Sequence, residues 1–257
     1  MSKTLSIIIL AQNTLLAKEI IVTIKSKFNK KIRIIALSSD SRLKEYSTKL
    51  FNYKIKFVSN NLRNEHKLIE IIKKNKIDLV LSLQHRWIIS QNLINFSNNN
   101  IYNFHFGKIP QFRGHDPIIY SILKKQKYFY STIHKISKIV DTGEVFSEKK
   151  ILNLNQIPRV IEKKMVQTFK LQFIEMINQI FKKKKISTKK KLNKKLKKYK
   201  KIKSLKNKKL INNVHDLEKK TIAFNQAPHE PAFFLHKKKK YYVLIDYKEY
   251  LKFKNKN

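Results

Sequence analysis

Leu5-Ser6-Ile7-Ile8-Ile9-Leu10-Ala11, then Gln12-Asn13, then Thr14–Phe28 decide the class of this chain. The first segment is a nearly unbroken apolar run, as in a strand buried on both faces of a sheet. The second carries apolar residues at three- and four-residue spacings, as an amphipathic helix does. The alternation continues: Ile32–Ser38, Lys54–Val58, Ile77–Leu83 and Ile101–Phe106 read as strands, and Asn64–Lys74 and Ile88–Phe96 as helices. Such alternation implies right-handed crossovers and a mostly parallel, doubly wound sheet.

The expected fold class is therefore α/β: a Rossmann-like, mostly parallel sheet with a small C-terminal β-hairpin unit. The turn after the first strand, Leu10-Ala-Gln-Asn-Thr-Leu15, has no Gly-x-Gly-x-x-Gly, so neither NAD nor FAD is expected. Further on, Ile118–Lys125 reads as a helix, and Tyr128–Lys138 and Glu144–Leu152 as two strands. Asn155 can cap a long helix with Pro158 in its first turn, its apolar face marked by Val160, Ile161, Met165, Phe169, Phe173, Met176, Ile177 and Ile180. Near the end, Ala232–His236 and Tyr241–Asp246 flank Lys237–Lys240 as a hairpin. The expected organisation is a catalytic domain over 1–181, a lysine-rich linker or amphipathic helix over 182–209, and a hairpin unit over 210–257.

Composition narrows the classes. Hydrophobic residues make up 42% of the 257, enough for a core. No cysteine is present, which excludes disulfides and thiolate metal sites. No apolar run approaches the ~20 residues of a membrane span, and Met1–Ala11 lacks the build of a signal peptide. A cytoplasmic, soluble protein is expected. The formal net charge is +41. A polyanionic partner would explain it, but lysine is spread throughout while glycine and alanine are scarce, which favours a compositional bias. Residues 182–209 hold seventeen lysines in twenty-eight positions and no acid. Leu192, Leu196, Tyr199, Ile202 and Leu205 recur at helical spacing there, while like-charge repulsion argues for disorder in isolation.

All three glycines, Gly107, Gly114 and Gly143, fall between residues 103 and 143, where an average chain carries roughly 7% glycine throughout. This stretch reads Asn103-Phe-His-Phe-Gly-Lys-Ile-Pro-Gln-Phe-Arg-Gly-His-Asp-Pro117 and closes with Val140-Asp-Thr-Gly143. It starts where the fifth strand ends, and ligands of doubly wound sheets sit at the carboxyl ends of strands. Asn103 and His105 alternate along that strand and so project to one side. An amide donor beside an imidazole can stabilise an oxyanion, and imidazole moves protons near neutral pH. Asp141, if it approaches, would orient the histidine. The set suits attack on a carbonyl by a nucleophile that the substrate itself brings. On spacing alone, a capping Asn, a structural His and a turn Asp explain the same residues.

The order Asn103-Phe-His105, Ile109-Pro110, Phe112-Arg113-Gly114, Pro117 and Val140-Asp141-Thr142-Gly143 resembles the folate-dependent formyltransferase family over roughly residues 1–180. Three departures stand out: Phe106-Gly-Lys-Ile109 replaces the usual Pro-Ser-Leu-Leu, the first turn lacks glycines, and His115-Asp116-Pro117 replaces Ala-Ala-Pro. The resemblance implies 10-formyltetrahydrofolate as co-substrate and no metal. Its pterin would lie against the Leu83–Ile89 loop and the Val140–Gly143 turn, so Leu83, Gln84, His85, Trp87, Ile88, Val140, Thr142 and Gly143 are candidate co-substrate contacts. Asn103 and His105 would stabilise the oxyanion, with Asp141 orienting His105 and assisting proton transfer.

Trp87 serves equally well as a packing residue. Arg113, Gly114 and His115 are candidate acceptor contacts, although Arg113 could instead pin its loop. Asp116 reads as a helix N-cap, and His134 as a satisfied core or surface histidine. The tail from Asn225 and the phrase Leu83-Gln-His-Arg-Trp-Ile-Ile resemble the sugar-nucleotide N-formyltransferases, in which a hairpin often contributes to a homodimer. About fifty residues after the lysine run are too few for a tRNA-gripping barrel. The expected acceptor is thus an amino sugar on a nucleotide, serving surface polysaccharide synthesis. Charged initiator tRNA ranks second, and an inactive formyltransferase-fold binding protein third.

Overall fold

A computed structural model describes residues 4–12, 14–39, 41–51, 53–59, 65–85, 87–154, 156–183, 186–189, 209–225 and 230–245. Asn13, Asn64, Asn155, Asp246 and the helical pattern Leu192–Leu205 lie outside them. The chain groups into two units: residues 1–105, 131–149 and 166–194 form one, and 106–130, 150–165 and 195–257 the other.

A seven-stranded sheet runs in the order β3-β2-β1-β4-β5-β6-β7. Its strands are β1 (Leu5–Ala11), β2 (Ile32–Ser39), β3 (Lys56–Ser59), β4 (Leu79–Leu83), β5 (Ile101–His105), β6 (Tyr128–Lys135) and β7 (Val145–Leu152). The first five pair in parallel, and β6 joins β5 antiparallel. The order reverses between β1 and β4, and crevices of doubly wound sheets open at the carboxyl ends of such strands. There Gln12 donates its backbone N–H to Leu83 O at 3.2 Å, tying the two strand ends together.

Helices of the first unit cover both faces. Ile8 and Leu10 alternate onto one side of β1 and pack with Leu68, Ile71 and Ile72 of α3 (Glu65–Lys74) and with Leu93 and Ile94 of α4 (Gln91–Phe96). On the long helix α6 (Pro158–Lys183), Phe169 meets Phe104 of β5 at 5.4 Å between ring centroids. Phe173 meets Phe28 of α1 (Thr14–Phe28) edge-on at 6.3 Å. The expected apolar face is mostly buried: Ile161, Met165, Phe169, Phe173, Met176 and Ile177 are all within the core.

Two helices are additions to the sequence reading. Helix α2 (Ser41–Leu50) has the sequence SRLKEYSTKL, too polar to show an apolar stripe, and among its described side chains Leu43 is its buried apolar residue. Helix α7 (Val214–Phe224) starts at Asn213, whose Oδ1 accepts from Asp216 N at 3.0 Å. That is a readable capping signal. Elsewhere boundaries move by a few residues. Helix α4 begins at Gln91 because Ser90 Oγ caps it, accepting from Leu93 N at 3.2 Å. Strand β6 ends at Lys135, short of Lys138.

In the second unit, α5 (Pro117–Leu123) contacts α7, and β8 (Ala232–His236) pairs with β9 (Lys239–Val243) as the expected hairpin. Its turn is Lys237–Lys238, both at positive φ, so β9 starts earlier than Tyr241. Glu230 accepts from Lys240 at 2.8 Å and pairs with Lys209 at 3.3 Å. Burial raises its pKa, but the two ammonium partners together leave it below the ordinary value. Asp116 occupies the N-cap position of α5 in the left-handed region (φ 51°) without a side-chain capping bond, unlike the capping aspartate expected. No helix among the described residues is long and apolar enough to cross a membrane.

Candidate active site

Strand register, rather than sequence proximity, assembles the centre of the first unit. Asn103 sits opposite Ser82 in the β4–β5 ladder and opposite His134 in the β5–β6 ladder. Asn103 and His105 do lie on one side of β5, because both reach Asp141. Asn103 Nδ2 donates to Asp141 Oδ1 at 3.4 Å, and His105 Nδ1 lies 3.7 Å from Asp141 Oδ2. His105 is 6% exposed and Asp141 9%, while Asn103 is half-buried. Charge interactions in such a setting are strengthened relative to water.

His134, expected to be a bystander, belongs to this cluster. It is 1% exposed, and its Nε2 is 3.5 Å from Asp141 Oδ1 and 3.4 Å from Asn103 Nδ2. Its Nδ1 lies 2.8 Å from the Lys135 carbonyl oxygen, which can only accept, so Nδ1 carries the proton. Nε2 then either accepts from Asn103 or, when protonated, donates to Asp141. Ser82 was also absent from the expected site, and its Oγ donates to Asn103 Oδ1 at 2.9 Å. The sequence signal for both residues was limited to their place on strands that flank β5.

Asp141 adopts φ 52°, a left-handed conformation that Asp tolerates better than most residues. The turn that holds it is locally stapled. Thr142 Oγ1 donates to Ile139 O at 2.8 Å and lies 3.0 Å from Ser137 Oγ. A Cβ on Gly143 would fall on the Lys135 carbonyl oxygen, so only glycine lets this turn pass so close to β6. Beyond it, Lys135 N donates to Glu144 O at 2.8 Å. The Asp-Thr-Gly spacing thus has a backbone reason in addition to any contact with a ligand.

The loop after β4 carries Gln84 at φ 56°, unusual for a residue with a long side chain. His85 is largely withdrawn from water, and burial pushes its pKa down to about 4 against a weaker opposing pull from Glu65. Its Nδ1 is buried with no hydrogen-bond partner among the described residues. A buried, neutral, unsatisfied imidazole nitrogen is costly. Its presence in the loop proposed for the pterin fits a polar ligand there. Trp87 is half-buried and Ile88 is 71% exposed. Arg113, Gly114 and His115 belong to the second unit. Arg113 is buried, Gly114 has φ 91° and so requires glycine, and His115 is exposed.

An amide, two imidazoles and one carboxylate thus converge beside the end of β5 in a doubly wound sheet. A model of the formyl transferase family matches residues 6–157, and the chain belongs to that family. Among curated relatives, methionyl-tRNA formyltransferase of Pelagibacter ubique is 25% identical over 184 residues, 71% of this chain and 59% of that protein. The chain spans between 14% and 59% of the length of the curated relatives it matches. Among solved structures, a 4-N formyltransferase from Francisella tularensis superposes with a TM-score of 0.71 at 20% identity, covering 94% of this chain and 97% of that one. A sugar N-formyltransferase from Shewanella sp. FDAARGOS_354 gives 0.72 at 18%, with the same coverage. At these identities the structural likeness establishes the fold.

Proposed function

We propose that this protein transfers a formyl group from 10-formyltetrahydrofolate to the amine of a nucleotide-linked amino sugar. The observation that carries the transfer chemistry is the convergence of half-buried Asn103 with buried His105 and Asp141. The co-substrate supplies the formyl group, and no metal is required. Leu83, Gln84, His85, Trp87 and Ile88, with Val140, Thr142 and Gly143, are the residues assigned to hold it. Arg113, Gly114 and His115 keep the acceptor-binding role that their motif implies.

The residues divide the work as follows. Asn103 Nδ2 has two protons; one points to the side where Asp141 Oδ1 and His134 Nε2 lie together, and the other donates to the oxygen that gains charge as the amine attacks. His105 presents to the substrate the ring nitrogen turned away from Asp141, takes the proton lost by the attacking amine, and returns it to the folate nitrogen as that nitrogen's bond to the formyl carbon breaks and tetrahydrofolate leaves. Asp141 holds His105 in the required tautomer and offsets the charge it acquires. The acceptor amine is the nucleophile, which explains why the cluster needs no serine or cysteine.

The amino-sugar acceptor is supported by likeness over 94% of the chain to a solved protein named a sugar N-formyltransferase. The curated relatives favour a second acceptor, initiator methionyl-tRNA. Tetrahydrofolate release with amino-sugar nucleotides, against charged initiator tRNA and with Asp141→Asn as blank, separates the two. Turnover with tRNA alone would overturn the sugar reading, and release with neither would overturn formyl transfer to both.

A further inference from the structure

We propose that Ser82 is a positioning residue that holds the Asn103 side-chain amide in its working orientation. This rests on the reading of Asn103 as the donor to the developing oxyanion. Ser82 lies on β4, is 2% exposed, and is directly across the parallel ladder from Asn103. Its Oγ donates to Asn103 Oδ1 at 2.9 Å, the shortest polar contact that Asn103 makes with the cluster (the others are at 3.4 Å).

The need for such a lock follows from the two ends of an amide. With Oδ1 held by Ser82, Nδ2 faces Asp141 Oδ1 and His134 Nε2, both able to accept. Rotated by half a turn, the amide would set its own oxygen against the Asp141 carboxylate and expose no proton to the substrate. The Asp141 carboxylate, which can only accept, selects this orientation, but its contact is long. The Ser82 hydroxyl can donate or accept and so does not choose the end of the amide; its short bond to Oδ1 holds the selected orientation in place. Orientation of a donor before reaction is what makes such stabilisation effective, since nothing must reorganise as charge develops. A serine here as mere strand packing would leave Asn103's chemistry untouched.

The experiment compares full-length protein with Ser82→Ala, the near-isosteric Ser82→Cys, Asn103→Ala and the double variant Ser82→Ala/Asn103→Ala. Ser82→Ala is expected to lower kcat roughly tenfold to a hundredfold with KM for both substrates within about twofold, a loss below that of one oxyanion donor. Ser82→Cys, a weaker donor, falls between it and the parent. In the Asn103→Ala background, Ser82→Ala has no further effect. An equal loss in both backgrounds, or no loss in either, overturns the proposal.

A second readout is independent of turnover: the side-chain NH2 signals of Asn103 in a nitrogen-15 spectrum, identified by their disappearance in Asn103→Ala. They should shift or broaden in Ser82→Ala, and unchanged signals overturn the lock. If the parent transfers no formyl group, the proposed function fails, and the spectrum by itself decides the orientation.

Discussion

His134 Nε2 stands 3.5 Å from Asp141 Oδ1, on the carboxylate oxygen opposite the one that faces His105. One buried carboxylate is therefore bracketed by two imidazoles whose ring centroids are 6.2 Å apart. The Lys135 carbonyl fixes which nitrogen of His134 is protonated, and so fixes what Asp141 can receive from it. His134→Ala is expected to lower kcat by about tenfold or more with KM little changed, because it releases one side of Asp141 without touching substrate. Steady-state kinetics with both substrates checks this; an unchanged kcat would return His134 to the role of core filler.

Asp141→Asn keeps shape and loses charge. The left-handed φ suits Asn as well as Asp, so the turn should fold unchanged. Loss of the group that orients His105 should reduce turnover by at least about a hundredfold, in keeping with orienting carboxylates elsewhere. Circular dichroism and thermal melting confirm the fold, and single-turnover formyl transfer measures the effect.

Gly143→Ala should be among the most destabilising single changes in the chain. The added methyl meets backbone, which cannot swing aside as a flexible side chain would. A cost of about 2–4 kcal/mol is expected, typical of strain at a position reserved for glycine. Chemical denaturation gives the value; a change under about 0.5 kcal/mol would mean that the turn can move off β6.

His85 makes stability depend on pH. Its pKa is about 4 when folded, against an ordinary 6.5. Above pH 6.5 both states hold it neutral, and its contribution is complete. As pH falls from 6.5 towards 4, the unfolded chain takes up a proton that the folded chain refuses, so stability declines. The part due to His85 is on the order of 2 kcal/mol after allowance for its partial exposure. Replacing it with Gln should flatten that part of the profile between pH 7 and 4.5. An identical slope in parent and variant would show that His85 is not held neutral by the fold.

Much of the fold was legible along the chain. Leu5–Ala11 and Thr14–Phe28 were read to the residue, because a fully buried strand and an amphipathic helix write their periodicity into hydrophobicity. Helix α2 was not, since its stability comes from packing around Leu43 rather than from an apolar stripe. The Asn213 cap of α7 was present in the letters but was outweighed by the hairpin that follows.

For the site, the letters alone carry the chemical types and their order: an Asn and a His two apart at a strand end, and an Asp before a glycine turn. Spacing along a strand dictates side-chain direction, so their common orientation was readable. Which residues of other strands stand beside them is settled by how the folded sheet aligns its strands. Ser82 and His134 meet Asn103 because β4 and β6 flank β5 in a particular register. Register is a property of pairs of strands and is set by the packing of the whole sheet, so no single strand's letters record it.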